Sequence, residues 1–201
     1  MNGIYLADKK DEDNKDKAPD ALAEKFLKTR QILLSGEINK ELAEKFNKQL
    51  LLLEADSSDP VYVYIDSPGG DVSAGFAIYD MIRFVSCPVV LVGNGLIASA
   101  AALILLAVPK ERRVGFANSE YLIHQPLSGM RGTATEIAIH AENLTKTKAK
   151  INKIIADATG KDVKQIEKDT DRDHWLDAAE AKDYGLISKI ISTRDELKAV
   201  K

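Results

Sequence analysis

Short apolar runs alternate along this chain with longer segments whose apolar residues recur every third or fourth position, the pattern of strands interleaved with helices. QILLSG (Gln31–Gly36) reads as a strand. NKELAEKFNKQLLLLEA (Asn39–Ala55) places Leu42, Phe46 and Leu50 on one helical face, with Asn39 as its cap. VYVYID (Val61–Asp66) alternates β-branched and aromatic residues as a strand does. The turn SPGG (Ser67–Gly70) then leads into a helix through SAGFAIYDMIRFV, ending at Val85. PVVLVGNG predicts a buried strand that feeds an alanine-rich helix starting near Ser99. YLIHQP (Tyr121–Pro126) is a strand stopped by proline, and SGMRGT after it is extended. A helix from Ala134 to about Ala158 follows, much longer than the average of ~11–12 residues. AAEAKDYG carries Asp177 and Glu180 at capping-box spacing with Gly185 as its stop, and LISKII makes a last strand. Upstream, DALAEKFLKTR predicts a short helix capped by Asp20.

This alternation predicts an α/β layered domain built on a mostly parallel sheet. Ligand sites in such sheets lie beyond the carboxyl ends of the strands. Three of these ends carry Gly69-Gly70, Ser99 and His124.

Composition narrows the function classes. The 201 residues suit one domain, with 45% hydrophobic and 29% charged residues and a net charge of -3. No basic stripe suggests nucleic acid. The longest apolar run, Leu96 to Val108, is too short to cross a bilayer and is broken by Ser99. The single cysteine, Cys87, excludes an internal disulfide framework and reads as a small buried hydrophobe in a reducing compartment. A charge-mixed stretch, Ala7–Asp20, predicts a mobile arm over residues 1–20. The domain proper is expected over 21–195, with a short tail at 196–201, and a cytoplasmic location.

A serine attacks a carbonyl only when a base takes its proton and donors receive the oxyanion. Ser99, at a strand-to-helix turn, meets the geometric need, and the Ala100 N–H behind it is a candidate donor. Read on its own stretch, Ser99 fits a helix N-cap better than a nucleophile. Gly69 and Gly70 can present bare N–H groups from the proline-braced loop. His124 closes an apolar strand, whereas His140 lies mid-helix and His174 sits in a charged segment. The orienting acid has three candidates, Asp169, Asp171 and Asp173, and spacing does not select among them. No G-x-S-x-G surrounds Ser99, which speaks against an α/β-hydrolase.

Taken together, SPGGDVSAGFAIYDMI, GLIASAAALILLA, YLIHQP and DTDRDHWLDAAEAKDYGLI resemble the ClpP family of caseinolytic serine proteases, over roughly Leu22 to Ile191. The resemblance implies a ClpP/crotonase-like spiral of ββα units with a protruding long-helix handle at about 127–159. It implies Ser99 as nucleophile, His124 as general base and Asp173 as orienting acid, with the backbone N–H groups of Gly69, Gly70 and Ala100 forming the oxyanion hole. The handle, a strand over Leu127–Thr133 and the helix after it, would join two stacked heptameric rings. Asp171 and Arg172 match a pair that bridges those rings.

The family hydrolyses unfolded polypeptides delivered by an AAA+ unfoldase such as ClpX, ClpA or ClpC, with Tyr62 and Tyr64 at or near its docking pocket. No cofactor or metal is implied for the chain itself, since ATP is used by the unfoldase. Three positions depart from the family pattern: Asp66 in place of asparagine, Ala100 in place of methionine, and an N-terminus without the usual axial-loop motif. The smaller Ala100 is expected to shrink a wall of the specificity pocket. The last two departures leave one alternative, a structural ring subunit paired with an active ClpP paralogue, and the shared spiral architecture leaves another, an acyl-CoA enzyme of crotonase type.

Overall fold

The computed structural model describes residues 25–200. The expected arm, the Asp20 cap and the start of the upstream helix lie outside the described residues; 25–27 are helical. The order is β1 (Gln31–Ser35), α1 (Lys40–Asp56), β2 (Val61–Ser67), α2 (Val72–Phe84), β3 (Val89–Ala98), α3 (Ala100–Leu105), β4 (Arg113–Phe116) and β5 (Glu120–Ile123). It continues with α4 (Ala134–Thr159), α5 (Val163–Asp169), β6 (His174–Leu176), α6 (Ala178–Tyr184), β7 (Lys189–Ile191) and α7 (Arg194–Lys198). A single 3-10 turn, Lys110–Arg112, precedes β4.

The strands form one sheet in which β1, β2, β3, β4 and β7 run parallel, as the alternation predicts. β3 is forked. Its residues Leu91–Gly93 pair with Arg113–Gly115 of β4, and its residues Leu96–Ala98 pair with Glu120–Leu122 of β5. β6 closes that branch antiparallel to β5. The switch of partner falls at Asn94 and Gly95, where the register against β2 also shifts.

On one face of the sheet Val61, Val63 and Ile65 are wholly buried beneath the helices. On the other, Tyr62 and Tyr64 rest on a smaller cluster of Val90, Val92, Val114, Ile191 and Leu197. α1 buries Ala43, Phe46, Leu50 and Leu53, and its Asn39 cap accepts from the Leu42 N–H. All six residues of α3 are buried, as expected of a helix apolar all round. Each buried leucine or isoleucine there is worth about 1.5–3 kcal/mol, which fixes the residue just before the helix on a rigid platform. Cys87 is buried, and that burial pushes its thiol pKa up.

α4 is 26 residues long and buries only Ile151, Asn152, Ile155 and Ala156. Its first half stands out from the domain, leaving Ile137 and Ile139 exposed. Leu127–Thr133, expected as a strand, is irregular. A strand needs a neighbour to accept its N–H groups, and no described strand lies alongside this glycine-punctuated stretch. At the other end, α7 inserts Leu197 into the smaller cluster, so the packed unit continues beyond residue 195.

Candidate active site

Six of the seven helices named above begin with a side chain that accepts a backbone N–H: Asn39, Asp71, Thr133, Asp162, Asp177 and Thr193. Ser99 holds the same position before α3 but makes no cap bond. Its hydroxyl lies instead 2.8 Å from His124 Nε2. The backbone at Ser99 has φ 56° and ψ -118°, a conformation that costs a side-chain-bearing residue about 1–3 kcal/mol. The surroundings hold it there: the Ser99 N–H donates to the Leu122 carbonyl of β5 at 2.9 Å, and its carbonyl accepts from Leu103 at 3.1 Å. The N-cap reading therefore fails.

His124 follows β5 directly, with its side chain mostly buried, while Asp173 is 62% exposed. Their Nδ1 and Oδ1 atoms are 2.9 Å apart. A carboxylate only accepts, so the imidazole hydrogen sits on Nδ1 and Nε2 is left to accept from Ser99. The β5–β6 register pairs Ile123 with His174; one step further along an antiparallel pair brings His124 beside Asp173. The other two aspartates are used elsewhere. Asp169 accepts the Tyr184 hydroxyl at 2.7 Å, and Asp171 lies 3.9 Å from Lys148 Nζ. His140 bonds Ser128 at 2.7 Å, and the His174 ring packs on Tyr184.

The glycine loop corrects one expectation. The Gly69 N–H donates to Ser67 Oγ at 3.1 Å and is not free to receive a substrate oxygen. Gly69 instead permits close approach, since a Cβ there would lie 2.7 Å from the Ala98 carbonyl and 2.9 Å from the Ala100 nitrogen. Gly70 is held by its neighbours: Ile38 donates to the Gly69 carbonyl and accepts from Asp71, each at 2.7 Å. Ala100 is 5% exposed, and its methyl lies against Gly75 of α2. Its side chain packs in the core.

One contributor, Gln125, was not singled out in the sequence, and a second, Asp66, was noted there only as a departure from the family pattern. Gln125 takes the Thr170 carbonyl with its N–H and the Asp171 carbonyl with its side chain, both at 2.7 Å, and Lys148 Nζ donates to its Oε1 at 2.9 Å. It ties the segment that carries Asp173 to the end of β5, and its place directly after His124 was the available signal. Asp66 accepts the Leu96 N–H at 3.1 Å, just past the fork of β3. Only an acceptor is needed there, which explains why aspartate stands where asparagine was expected. Asp66→Asn should leave the unfolding midpoint within about 0.5 kcal/mol of the original, whereas Asp66→Ala should cost about 1 kcal/mol in urea unfolding.

Among the described residues, no group of three or more His, Cys, Asp or Glu is placed to hold a metal ion, and no helix is long and apolar enough to cross a membrane.

Similarity to known proteins extends along nearly the whole chain. The Clp protease family model matches residues 14–194. An ATP-dependent Clp protease proteolytic subunit 2 of Treponema denticola is 62% identical over 185 residues, covering 92% of each chain. The subunit 2 of Borreliella burgdorferi is 51% identical over 173 residues, 86% of this chain and 87% of that one. A mutant ClpP1 structure from Listeria monocytogenes superimposes with a TM-score of 0.82 at 49% identity, covering 88% of this chain and 99% of that one. A parallel sheet with a forked third strand, a projecting long helix and similarity of this extent have one explanation: the chain belongs to the Clp protease family.

Proposed function

We propose that the chain is the proteolytic subunit of an ATP-dependent Clp protease, hydrolysing peptide bonds with Ser99, His124 and Asp173. The observation that carries this reading is the bond from a strained, non-capping serine to a histidine whose other nitrogen meets a carboxylate. Ser99 Oγ attacks the amide carbonyl carbon while His124 Nε2 takes its proton. The developing oxyanion is received by the N–H groups of Gly70 and Ala100. The imidazolium, steadied by Asp173, returns its proton to the leaving amine, and water releases the acyl group by the same route. Side chains and water complete this chemistry, so no cofactor is required of the chain.

The other roles rest on surfaces suited to them. The exposed first half of α4, with Ile137 and Ile139 uncovered, supports the handle reading and two stacked heptameric rings. Arg172, 91% exposed beside Asp171, is available to a second copy. A cavity of about 370 Å³ lined by Tyr64, Phe116, Ile191 and Leu197 supports docking of an AAA+ unfoldase such as ClpX, ClpA or ClpC, with Tyr62 in the cluster beneath. Unfolded polypeptides are the substrates, and the particle works in the cytoplasm. A purely structural ring subunit is disfavoured, because strain at Ser99 is hard to account for without catalysis. A crotonase-type enzyme needs no serine–histidine pair.

The test is labelling of the purified particle with a fluorophosphonate, followed by peptide mapping. Modification confined to Ser99 is expected, and an unlabelled but assembled particle would overturn the assignment. Asp173→Asn, which favours the wrong imidazole tautomer, should lower kcat for a short fluorogenic peptide ~10²–10⁴-fold. The lower end is expected here because the carboxylate is largely exposed.

A further inference from the structure

A second cavity, of about 360 Å³, opens between α2, the connection from α3 to β4, and the last turn of α4. None of its lining residues belongs to the serine site. Arg113, at the start of β4, lines it while only 1% exposed. One guanidinium nitrogen, Nη2, donates to the Ala158 carbonyl at 2.8 Å. Nε and Nη1 are buried and meet no partner among the described residues. No described carboxylate pairs with Arg113 within 4.0 Å. Burial lowers its pKa to about 10, with Glu111 and Tyr79 opposing that fall. The group is therefore still a cation at neutral pH. A buried charge is costly unless something neutralises it.

The rest of the lining carries more positive charge. Arg83 of α2 and Lys110 of the 3-10 turn both face the same space, and Arg83 lies over the Tyr79 ring at 5.6 Å. Asp157 also lines it, but its carboxylate is taken by Lys153 at 3.0 Å. Tyr79, Leu106 and Ile154 supply an apolar wall. The volume falls within the range of about 300–1,000 Å³ typical of small-molecule sites.

We propose that this cavity binds a small phosphate monoester carrying an apolar or aromatic group. The phosphoryl oxygens face Arg113, Arg83 and Lys110, and the organic group lies on Tyr79, Leu106 and Ile154. Phosphate fits better than a lone carboxylate for two reasons. Three cations suit a dianion, and the separate unpartnered N–H groups of the guanidinium suit the several oxygens of a phosphoryl group.

The experiment is calorimetric titration of the assembled full-length protein with phenyl phosphate, inorganic phosphate and benzoate. Saturable binding of phenyl phosphate is expected at one per subunit, with inorganic phosphate and benzoate each about tenfold weaker or more. The rim variant Arg83→Ala/Lys110→Ala should weaken phenyl phosphate about tenfold or more while leaving basal peptide hydrolysis unchanged. Arg113→Met should abolish binding; should that variant misfold, the rim variant alone decides. No saturable heat with the unaltered protein would overturn the proposal, as would equal binding by the rim variant. Benzoate matching phenyl phosphate would replace phosphate with carboxylate as the ligand class. Binding to dissociated subunits alone would make the site a contact for a neighbouring copy and sink the proposal.

Discussion

Ser99→Ala should lower hydrolysis of a short fluorogenic peptide by about 10⁵–10⁶-fold, the loss that accompanies removal of a serine nucleophile acting as a unit with its histidine. The substitution removes one oxygen and leaves the backbone at φ 56° still strained, so it gains no relief from the new side chain. It also frees His124 Nε2 from its hydrogen-bond partner, a cost of about 1 kcal/mol. The particle should therefore assemble with its native mass and unfold near the original midpoint. Hydrolysis within about tenfold of the unaltered protein, in an assembled particle, would mean that another group attacks the carbonyl.

Gly70→Ala is the second large effect, and it acts through the backbone. Gly70 has φ 147°, and a Cβ there would lie 2.2 Å from the Ile38 carbonyl oxygen and 2.9 Å from the Ile38 nitrogen. Neither group is the end of a flexible side chain, so the loop itself must move, and the proposed oxyanion donor moves with it. Loss of one such donor lowers kcat ~10²–10³-fold. The broken contacts with Ile38 add a stability loss of about 2–3 kcal/mol. Gly36→Ala is the matched control: it also has positive φ, 88°, but a Cβ there meets nothing within 4 Å. It should cost about 1 kcal/mol in denaturant unfolding and leave hydrolysis untouched. Equal losses from the two variants would show that strain alone, and not displacement of the loop, governs both.

The parts of the fold legible beforehand were those with a strong local code. Asn39 and the Asp177–Glu180 pair cap their helices as their spacing required, and the alternation in VYVYID put Val61, Val63 and Ile65 on the buried face. Ser99, Gly69-Gly70 and His124 stood at strand ends in the sequence, and two of the three features meet by hydrogen bond while the glycine loop packs against the serine turn.

What stayed hidden depends on partners far along the chain. Spacing alone did not select Asp173 over Asp169 and Asp171, which only the family resemblance did; the antiparallel register of β5 and β6 sets it beside His124, and β6 is a three-residue strand with no periodicity to read. β4 and α5 are similarly brief. The Gly69 N–H was lost to Ser67 Oγ through a bond between residues two apart, which depends on loop geometry that composition does not encode. The buried charge of Arg113 gave no signal in the alternating pattern, because it occupies the first position of a strand that was itself unread.

The forked β3 has a consequence for synthesis. The amide of Ser99 is gripped by the carbonyl of Leu122, and the acid that completes the site lies 49 residues beyond the imidazole. While a ribosome is still translating the stretch between them, the imidazole has no carboxylate to aim it. Chain order thus works as a built-in delay: the three side chains come together only after the last of them has been made.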